Sequence, residues 1–525
     1  MSTQSTMATT NLKLLALESP LLLSAAAFLV IVSFIHFLLN RPRKLDLPVV
    51  GSPGETDHRE ALIEGTAKYP NSPFIIPTAP PLVILPISVL DEVRNLPENK
   101  VSLWKDVRRA FSAKHTGIGT EGPELIQSIK NDLTRHIAST LDDLQDEVRY
   151  GFDKELESCE DWTPIPVHAK MARIVALLSG RIFVGRPLSR EEEWIQASIT
   201  FTFSCTQARL AITAYHEWSR GIVAYFLPEI KKVKEFKKRG AQLLQPIVDA
   251  QLSKEGNDKI RRDDSKDEQG TFISWLLKNT KEKERSDPLV LANNQMALSL
   301  AAIHTTTMAT TAAIYDLAAH PEHIQPLRDE IEQVVNEDGN DVDGVGFKKL
   351  KKSSMPKLWK LDSFLKESQR FTPVQLPTNV RVTTSPVTLS TGYTLPTGTR
   401  FGFAAWAIMN DPQNPIFSPS LQPTTSPPSQ FDGLRFYKLR KIPGNENKHQ
   451  FVTTSSESLN FGHGNHACPG RFFASNEIKV VLIELLREWE WRFREGEVRP
   501  KNLVRSMTCS PDKSAVLEFR RRKAE

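Results

Sequence analysis

The feature that most restricts the fold is the run NNQMALSLAAIHTTTMATTAAIYDL, from Asn293 to Leu317. It has no formal charge before Asp316 and is apolar or small on every side. A helix that is hydrophobic all round has no face to offer water, so protein must cover it. The chain therefore has to wrap other helices around this one. Pro321 ends the run, and EHIQPLRDEIEQVV then opens a surface helix. The spacing from Glu124 to about Ser253 is also mostly helical, as in LIQSIKNDLTRHIASTLDDL. These patterns predict a mainly α protein.

Two stretches break the helical pattern. Phe74 to Leu90 holds two short apolar β-type runs around Pro80-Pro81, which predicts a hairpin whose prolines demote both runs to edge strands. Asn379 to Ile408 alternates β-type residues with Pro386, Gly392, Pro396 and Gly398 at turns, which predicts a small sheet. The charged segment 254–270 and the Ser/Pro-rich segment 417–430 read as surface loops. No repeat recurs at a fixed period.

Composition sets outer limits. Of the 525 residues 40% are hydrophobic, which excludes intrinsic disorder, collagen and a multi-span membrane protein. The 67 basic residues against 62 acidic ones leave a net charge of +5, too mild on this length to argue for a nucleic-acid partner. Cys159, Cys205, Cys468 and Cys509 show no C-x-x-C spacing, and no N-x-[ST] sequon occurs. Both facts point to a body in a reducing compartment rather than a disulfide scaffold.

Leu21 to Leu39 reads LLLSAAAFLVIVSFIHFLL, nineteen residues without a formal charge. As a helix rising 1.5 Å per residue, it reaches about 28 Å, enough to cross a bilayer core. Arg41, Arg43 and Lys44 follow it whereas only Lys13 precedes it, so the C-terminal side is expected in the cytoplasm. A cleaved leader, with its positive charge ahead of a shorter apolar core, fits less well. The expected organisation is a luminal segment 1–20, an anchor 21–39, a Pro/Gly linker 40–56 and one large domain 57–525.

The sharpest chemical signal is FGHGNHACPGRFFA, residues 461–474. Beyond it Ile478, Val481, Leu482, Leu485, Leu486 and Trp489 recur at helical steps, so Cys468 stands just before a helix N-terminus. The N–H groups and dipole there favour a thiolate, which can ligate iron. Gly462, Gly464 and Gly470 allow close approach of a flat ligand or unusual backbone angles. Other readings stay open: a merely packed cysteine, a zinc site built from His463, His466 and Cys468, or, more weakly, a phosphate loop. Glu367 and Arg370 in LDSFLKESQRF stand three apart on one helical face, ordinarily a solvated pair. Thr305, Thr306, Thr307, Thr310 and Thr311 lie inside the apolar helix. Each hydroxyl bonds back to the i−4 carbonyl, or the cluster forms a polar notch facing a cofactor.

In this order, these three elements resemble a microsomal cytochrome P-450, and the resemblance spans the chain. The family's haem loop, F-x-x-G-x-[RH]-x-C-x-G, is met by Phe461, Gly464, His466, Cys468 and Gly470. Its E-x-x-R motif is met by Glu367 and Arg370, and Arg435 in FDGLRF resembles the arginine that completes a buried Glu-Arg-Arg network. AAIHTT, 301–306, resembles the oxygen-binding helix motif, with His304 where an acid is usual. The variants look like those of filamentous-fungal enzymes that tailor terpenoids and other secondary metabolites.

The resemblance implies a mainly α fold with small β-sheets, a single large domain behind the N-terminal membrane helix. It implies haem as cofactor, with Cys468 as the iron's axial thiolate and Phe461 packed near it. His466 and Arg381 would meet the haem propionates, with Lys130 as a third candidate, because Trp104 and Arg108 have the spacing of the family's tryptophan–arginine pair but lie early in the chain. Thr305, with His304 beside it, would serve proton delivery. The implied partners are O2, an NADPH-cytochrome reductase, the endoplasmic-reticulum membrane and a lipophilic substrate such as a diterpene or indole-diterpene. Ala301, Ala302 and Thr306, with Val374 to Leu376 and Met507 to Ser510, are expected to wall the pocket. The rival readings are a haem-thiolate isomerase, a peroxide-dependent enzyme or a non-catalytic haem-binding homologue.

Overall fold

The computed structural model describes residues 45–156, 159–258, 270–338, 349–421 and 426–523, together with residues 24, 27, 28, 31 and 32. The 1–20 segment and most of the 21–39 anchor lie outside the described residues, as do 259–269 and 422–425. The chain divides into two units, Met1–Leu47 and Pro48–Glu525, and the second is the body treated below.

Six helices position the site: α1 Val167–Phe183, α2 Glu192–Thr213, α3 Pro228–Asp258, α4 Pro288–Ala319, α5 Trp359–Phe371 and α6 Arg471–Glu488. The long apolar run is α4, which starts five residues before Asn293. Its start is a cap: Asp287 Oδ1 accepts the Leu289 N–H at 2.9 Å, and Pro288 takes the first turn, where no N–H is needed. Helix α4 ends at Ala319, two residues before Pro321. Among the described residues it is the one helix long and apolar enough to cross a membrane, yet most of it is buried, with α1, α2, α3, α5 and α6 packed against it. Leu298, Ile314 and Leu317 of α4 share one core with Ile174 and Leu178 of α1 and Ile478, Leu482 and Leu485 of α6. Burying a Leu or Ile fully contributes about 1.5–3 kcal/mol, so this shared core holds the helices around α4.

The main sheet has five strands, in the order Phe74–Ile76, Leu82–Ile84, Arg400–Phe403, Thr378–Thr383, Val101–Ser102. The Phe74 hairpin is present, with Phe74 opposite Ile84. Leu82–Ile84 is nevertheless not an edge strand, because it also pairs in parallel with Arg400–Phe403. Pro77, Pro81 and Pro86 flank the three-residue strands rather than sit inside them, so no ladder N–H is lost. The predicted sheet over 379–408 ends sooner than expected, since Ala405–Asn410 is a helical turn. The segment expected as a loop from residue 254 is helical as far as Asp258. Leu376, Met507 and Cys509, expected as pocket walls, pack instead in a separate cluster with Val50, Leu62 and Phe74 beside this sheet.

Candidate active site

The loop carrying Cys468 is held from both ends. The Cys468 N–H donates to the Phe461 carbonyl at 2.8 Å, and the Ala467 N–H to that of Gly464 at 3.0 Å. Gly464 has φ +84°, and a Cβ there would come within 2.8 Å of the Arg94 carbonyl, so only glycine fits. Asn379, 84 residues earlier, clamps the loop: its Nδ2 donates to the His463 carbonyl at 2.8 Å and its Oδ1 accepts the His463 N–H at 2.9 Å. Nothing in the local sequence around Asn379 signals this role. The His463 ring bonds to Arg94 and, at 3.0 Å, to Thr454, rather than reaching toward Cys468. Among the described residues no three His, Cys, Asp or Glu side chains gather as a metal-binding group, which leaves the zinc alternative without geometry.

Helix α6 starts at Arg471 with Gly470 as its cap, as the periodicity predicts. Burial pushes the Cys468 thiol up, while the N–H groups of Gly470 and Arg471 and the Arg471 charge pull it down. In the protein alone, burial outweighs the helix terminus expected to favour a thiolate. Cys468 is only half-buried, however, because it opens onto a cavity beneath α4. Phe111, Ile118, Leu125, Ile126 and Phe183 line it on one side, and Ala301, Ala302, Thr305 and Thr306 on the other.

The two readings of the threonines meet at Thr305, while Thr310 and Thr311 do not bond back to the i−4 carbonyl. Thr305 Oγ1 donates to the Ala301 carbonyl at 2.7 Å, four residues back, while its side chain stands exposed on the cavity. Thr307 makes the same bond to Ile303 but is buried. His304 points elsewhere: its Nε2 lies 2.9 Å from the Ile199 carbonyl of α2, and burial lowers its pKa and favours the neutral ring. It does not line the cavity, because the step of about 100° per residue that presents Thr305 turns His304 toward α2.

Basic groups meet at the other edge of the Cys468 loop. Arg381 is buried, its Nη1 donating to the Val380 carbonyl at 2.7 Å, and burial lowers its pKa to about 10. His466 is held below its ordinary value by burial and by the Arg381 and Lys130 charges, against the pull of Glu98. Lys130 Nζ donates to the Asn465 carbonyl at 3.4 Å from a π-helical turn, Ser128–Leu133. Trp104 and Arg108, early as they are in the chain, line the same cleft as Lys130 and His466.

The Glu367–Arg370 pair is not solvated. Glu367 accepts from Arg370 Nε at 2.9 Å and Nη2 at 2.7 Å, and from Arg435 Nε at 3.1 Å. All three residues are at most 1% exposed. The Asp432 N–H adds a further bond to Glu367, at 3.0 Å. The Ser/Pro-rich segment does not displace Arg435. Instead, the Pro427 and Gln430 carbonyls accept from its Nη2 at 3.2 and 2.8 Å, and the Pro428 carbonyl accepts from Arg370 Nη1 at 2.8 Å.

The donor set fits haem. Such a group needs a soft ligand for iron, apolar walls for a flat macrocycle and cations for two carboxylates. Cys468 supplies the first and the cavity the second. Arg381, a buried guanidinium bonded to a carbonyl and, among the described residues, in no ion pair although the Glu98 and Asp106 charges act on it, begins the third. A Cβ at Gly470 would meet nothing within 4 Å, so the floor beside Cys468 is open.

Comparison with known proteins agrees with this geometry. The family model for cytochrome P-450 matches residues 100–519. The chain is 50% identical over 513 residues to cytochrome P-450 monooxygenase ascG of Acremonium egyptiacum, an alignment covering 96% of each chain. It is 42% identical over 501 residues to cytochrome P-450 monooxygenase BOA7 of Botryotinia fuckeliana, covering 93% of this chain and 91% of the relative.

Proposed function

Because this chain belongs to the cytochrome P-450 family and is a haem-thiolate monooxygenase, we propose that Cys468 holds the haem iron and that the substrate is a terpenoid secondary metabolite. The observation that carries the assignment is the opening of Cys468 onto an apolar cavity that Thr305 also lines, next to a cleft lined by His466 and Lys130, with the Arg381 charge acting on His466. Haem, when bound, supplies the one-electron and oxygen chemistry. The chain supplies the setting. Cys468 would give a thiolate, Arg381 and His466 would orient the group through its carboxylates, and Phe461 packs the loop from the Phe451 side, with ring centroids 5.3 Å apart. Thr305 holds a hydroxyl at the cavity wall, where its Oγ1 could donate a proton into the cavity. The apolar walls exclude water and favour a lipophilic substrate.

NADPH would be the electron source, through a separate reductase, as membership of the family suggests. The Leu21–Leu39 segment supports an anchor in the endoplasmic-reticulum membrane with the body in the cytoplasm. From that membrane a terpenoid would partition into the cavity.

The test is the reduced, carbon-monoxide-bound difference spectrum of membranes carrying the full chain, compared with Cys468→Ser. The wild type should show the red-shifted Soret band of a thiolate ligand and the variant should lose it. A band that persists in the variant would remove Cys468 from the iron. Product analysis with diterpene and indole-diterpene substrates, with and without NADPH and reductase, then tests the substrate class.

A further inference from the structure

Among the side chains that line the cavity above Cys468 stands one carboxyl group that the reaction does not use, that of Glu121. It stands in the loop between the turn Ala113–Thr116 and the helix Pro123–Gln127, beside Ile118 and Gly119. Its Oε2 accepts the Gly119 N–H at 2.7 Å. Its Oε1 is shielded from water and has no hydrogen-bond partner among the described residues. An unpartnered buried carboxyl oxygen is costly to the chain, and a ligand that brings a donor removes that cost. We propose that Glu121 is the polar anchor of the substrate site, its Oε1 accepting a hydrogen bond from a hydroxyl group on an otherwise apolar substrate.

The surroundings choose among donors. Burial raises the Glu121 pKa, while the backbone N–H groups of Glu121 and Gly119 and then the charges of Lys237 and Arg108 pull it down. Lys237 is itself largely buried, its ammonium bonded to Asn293 Oδ1 at 2.5 Å where α3 meets α4. A substrate ammonium brought to Glu121 would lie near these two cations, so a neutral hydroxyl or phenol fits where an amine does not. The geometry also fixes direction. With its hydroxyl at Glu121, an amphipathic molecule lays its apolar body along Ile118, Leu298 and Ala301 and presents a carbon remote from that hydroxyl to the haem that Cys468 would hold. The substrate therefore arrives already oxygenated, and a cyclase that captures water, an earlier oxygenase or a synthase that leaves a phenol must precede this enzyme. The inference rests on the haem-thiolate reading of the same site.

The experiment uses the haem-loaded full chain and matched probes: farnesol and its methyl ether, 4-nonylphenol and its methyl ether, and farnesylamine. Binding is read from the Soret shift, without turnover. For at least one pair the wild type should bind the free hydroxyl about tenfold more tightly than the ether, the effect of one hydrogen bond to a buried acceptor. Glu121→Leu should bring that ratio to about one without weakening the ether. Glu121→Gln, which keeps a carbonyl acceptor, should retain most of the preference. The proposal is overturned if neither pair shows a preference, if the preference survives in Glu121→Leu, or if farnesylamine binds most tightly. It is also overturned if Glu121→Leu loses haem, which would mean that Glu121 serves the haem carboxylates. A wild type lacking the thiolate band altogether would instead contradict the haem-thiolate reading, and that separates the two failures.

Discussion

Glu367→Gln isolates the charge of the buried network while keeping its shape. In the wild type one carboxylate receives three guanidinium N–H groups at 2.7–3.1 Å and the Asp432 N–H at 3.0 Å. The substitution leaves two guanidinium charges, on residues at most 1% exposed, with uncharged oxygens as partners. It also turns an amide NH2 toward groups that only donate. Removing one partner of a buried ion pair typically costs about 3–5 kcal/mol. An exposed pair such as Arg492 with Glu518, 2.9 Å apart, should cost no more than about 1 kcal/mol when Arg492 is replaced by Gln. The assay is a urea titration of the full chain in a fixed excess of haem, so that cofactor mass action is equal for all variants. Unfolding is followed both by the thiolate Soret band and by the fluorescence of the 9 tryptophans. With a urea slope of roughly 3–5 kcal/mol/M for a chain of this length, the Glu367→Gln midpoint should fall by about 1 M. A midpoint within about 0.2 M of wild type, or one no lower than that of the Arg492→Gln control, would refute the claim that this network holds the body together.

Arg381→Leu removes a buried cation that forms no ion pair among the described residues, so it should weaken haem retention by about tenfold or more while leaving the urea midpoint of the haem-free chain unchanged or higher; haem transfer to apomyoglobin measures it. Thr305→Ala loses a hydroxyl that is bonded only within α4, so stability should change by less than about 1 kcal/mol while product formed per NADPH falls by as much as about 10²-fold. Glu477, fully buried with the Ser179 hydroxyl donating to its Oε1 at 2.7 Å, has its pKa raised to about 8 by burial. Between its ordinary value and about pH 8 the folded chain keeps a proton there that the unfolded chain has lost, so this group makes stability fall as pH rises through that window. Glu477→Gln should remove that slope, and melting temperatures of the two proteins from pH 5 to pH 8.5 would show curves that diverge toward alkaline pH; parallel curves would contradict the assignment.

Much of this site was legible in one dimension because its chemistry is local. The Cys468 loop and the helix after it are contiguous, so glycines, cysteine and apolar period together specify a thiol at a helix terminus whatever packs around them. The apolar run of α4 likewise had to be buried, since nothing in it can face water. Glu367 and Arg370, three apart, had to share a helical face. Whether that face met solvent or the core was not written in the spacing. It was decided by Arg435 and by the carbonyls of the Ser/Pro-rich segment, which arrive from more than fifty residues away.

What only the tertiary structure decided follows the same division. His304 and Thr305 are neighbours in sequence, yet one faces the Ile199 carbonyl and the other the cavity, because the packing of α2 against α4 fixes the rotation of α4 about its axis. Residues 507–509 looked like pocket wall but belong to the small cluster by the sheet, since strand pairing carries them there. Asn379 clamps the Cys468 loop, and Glu121 enters the cavity with a bare oxygen, through contacts that no periodicity encodes. Residue type and spacing determined which groups exist and which local geometry each could take. Burial and partners, which set the charge state and the direction of those groups, depend on surfaces brought together only when distant segments pack.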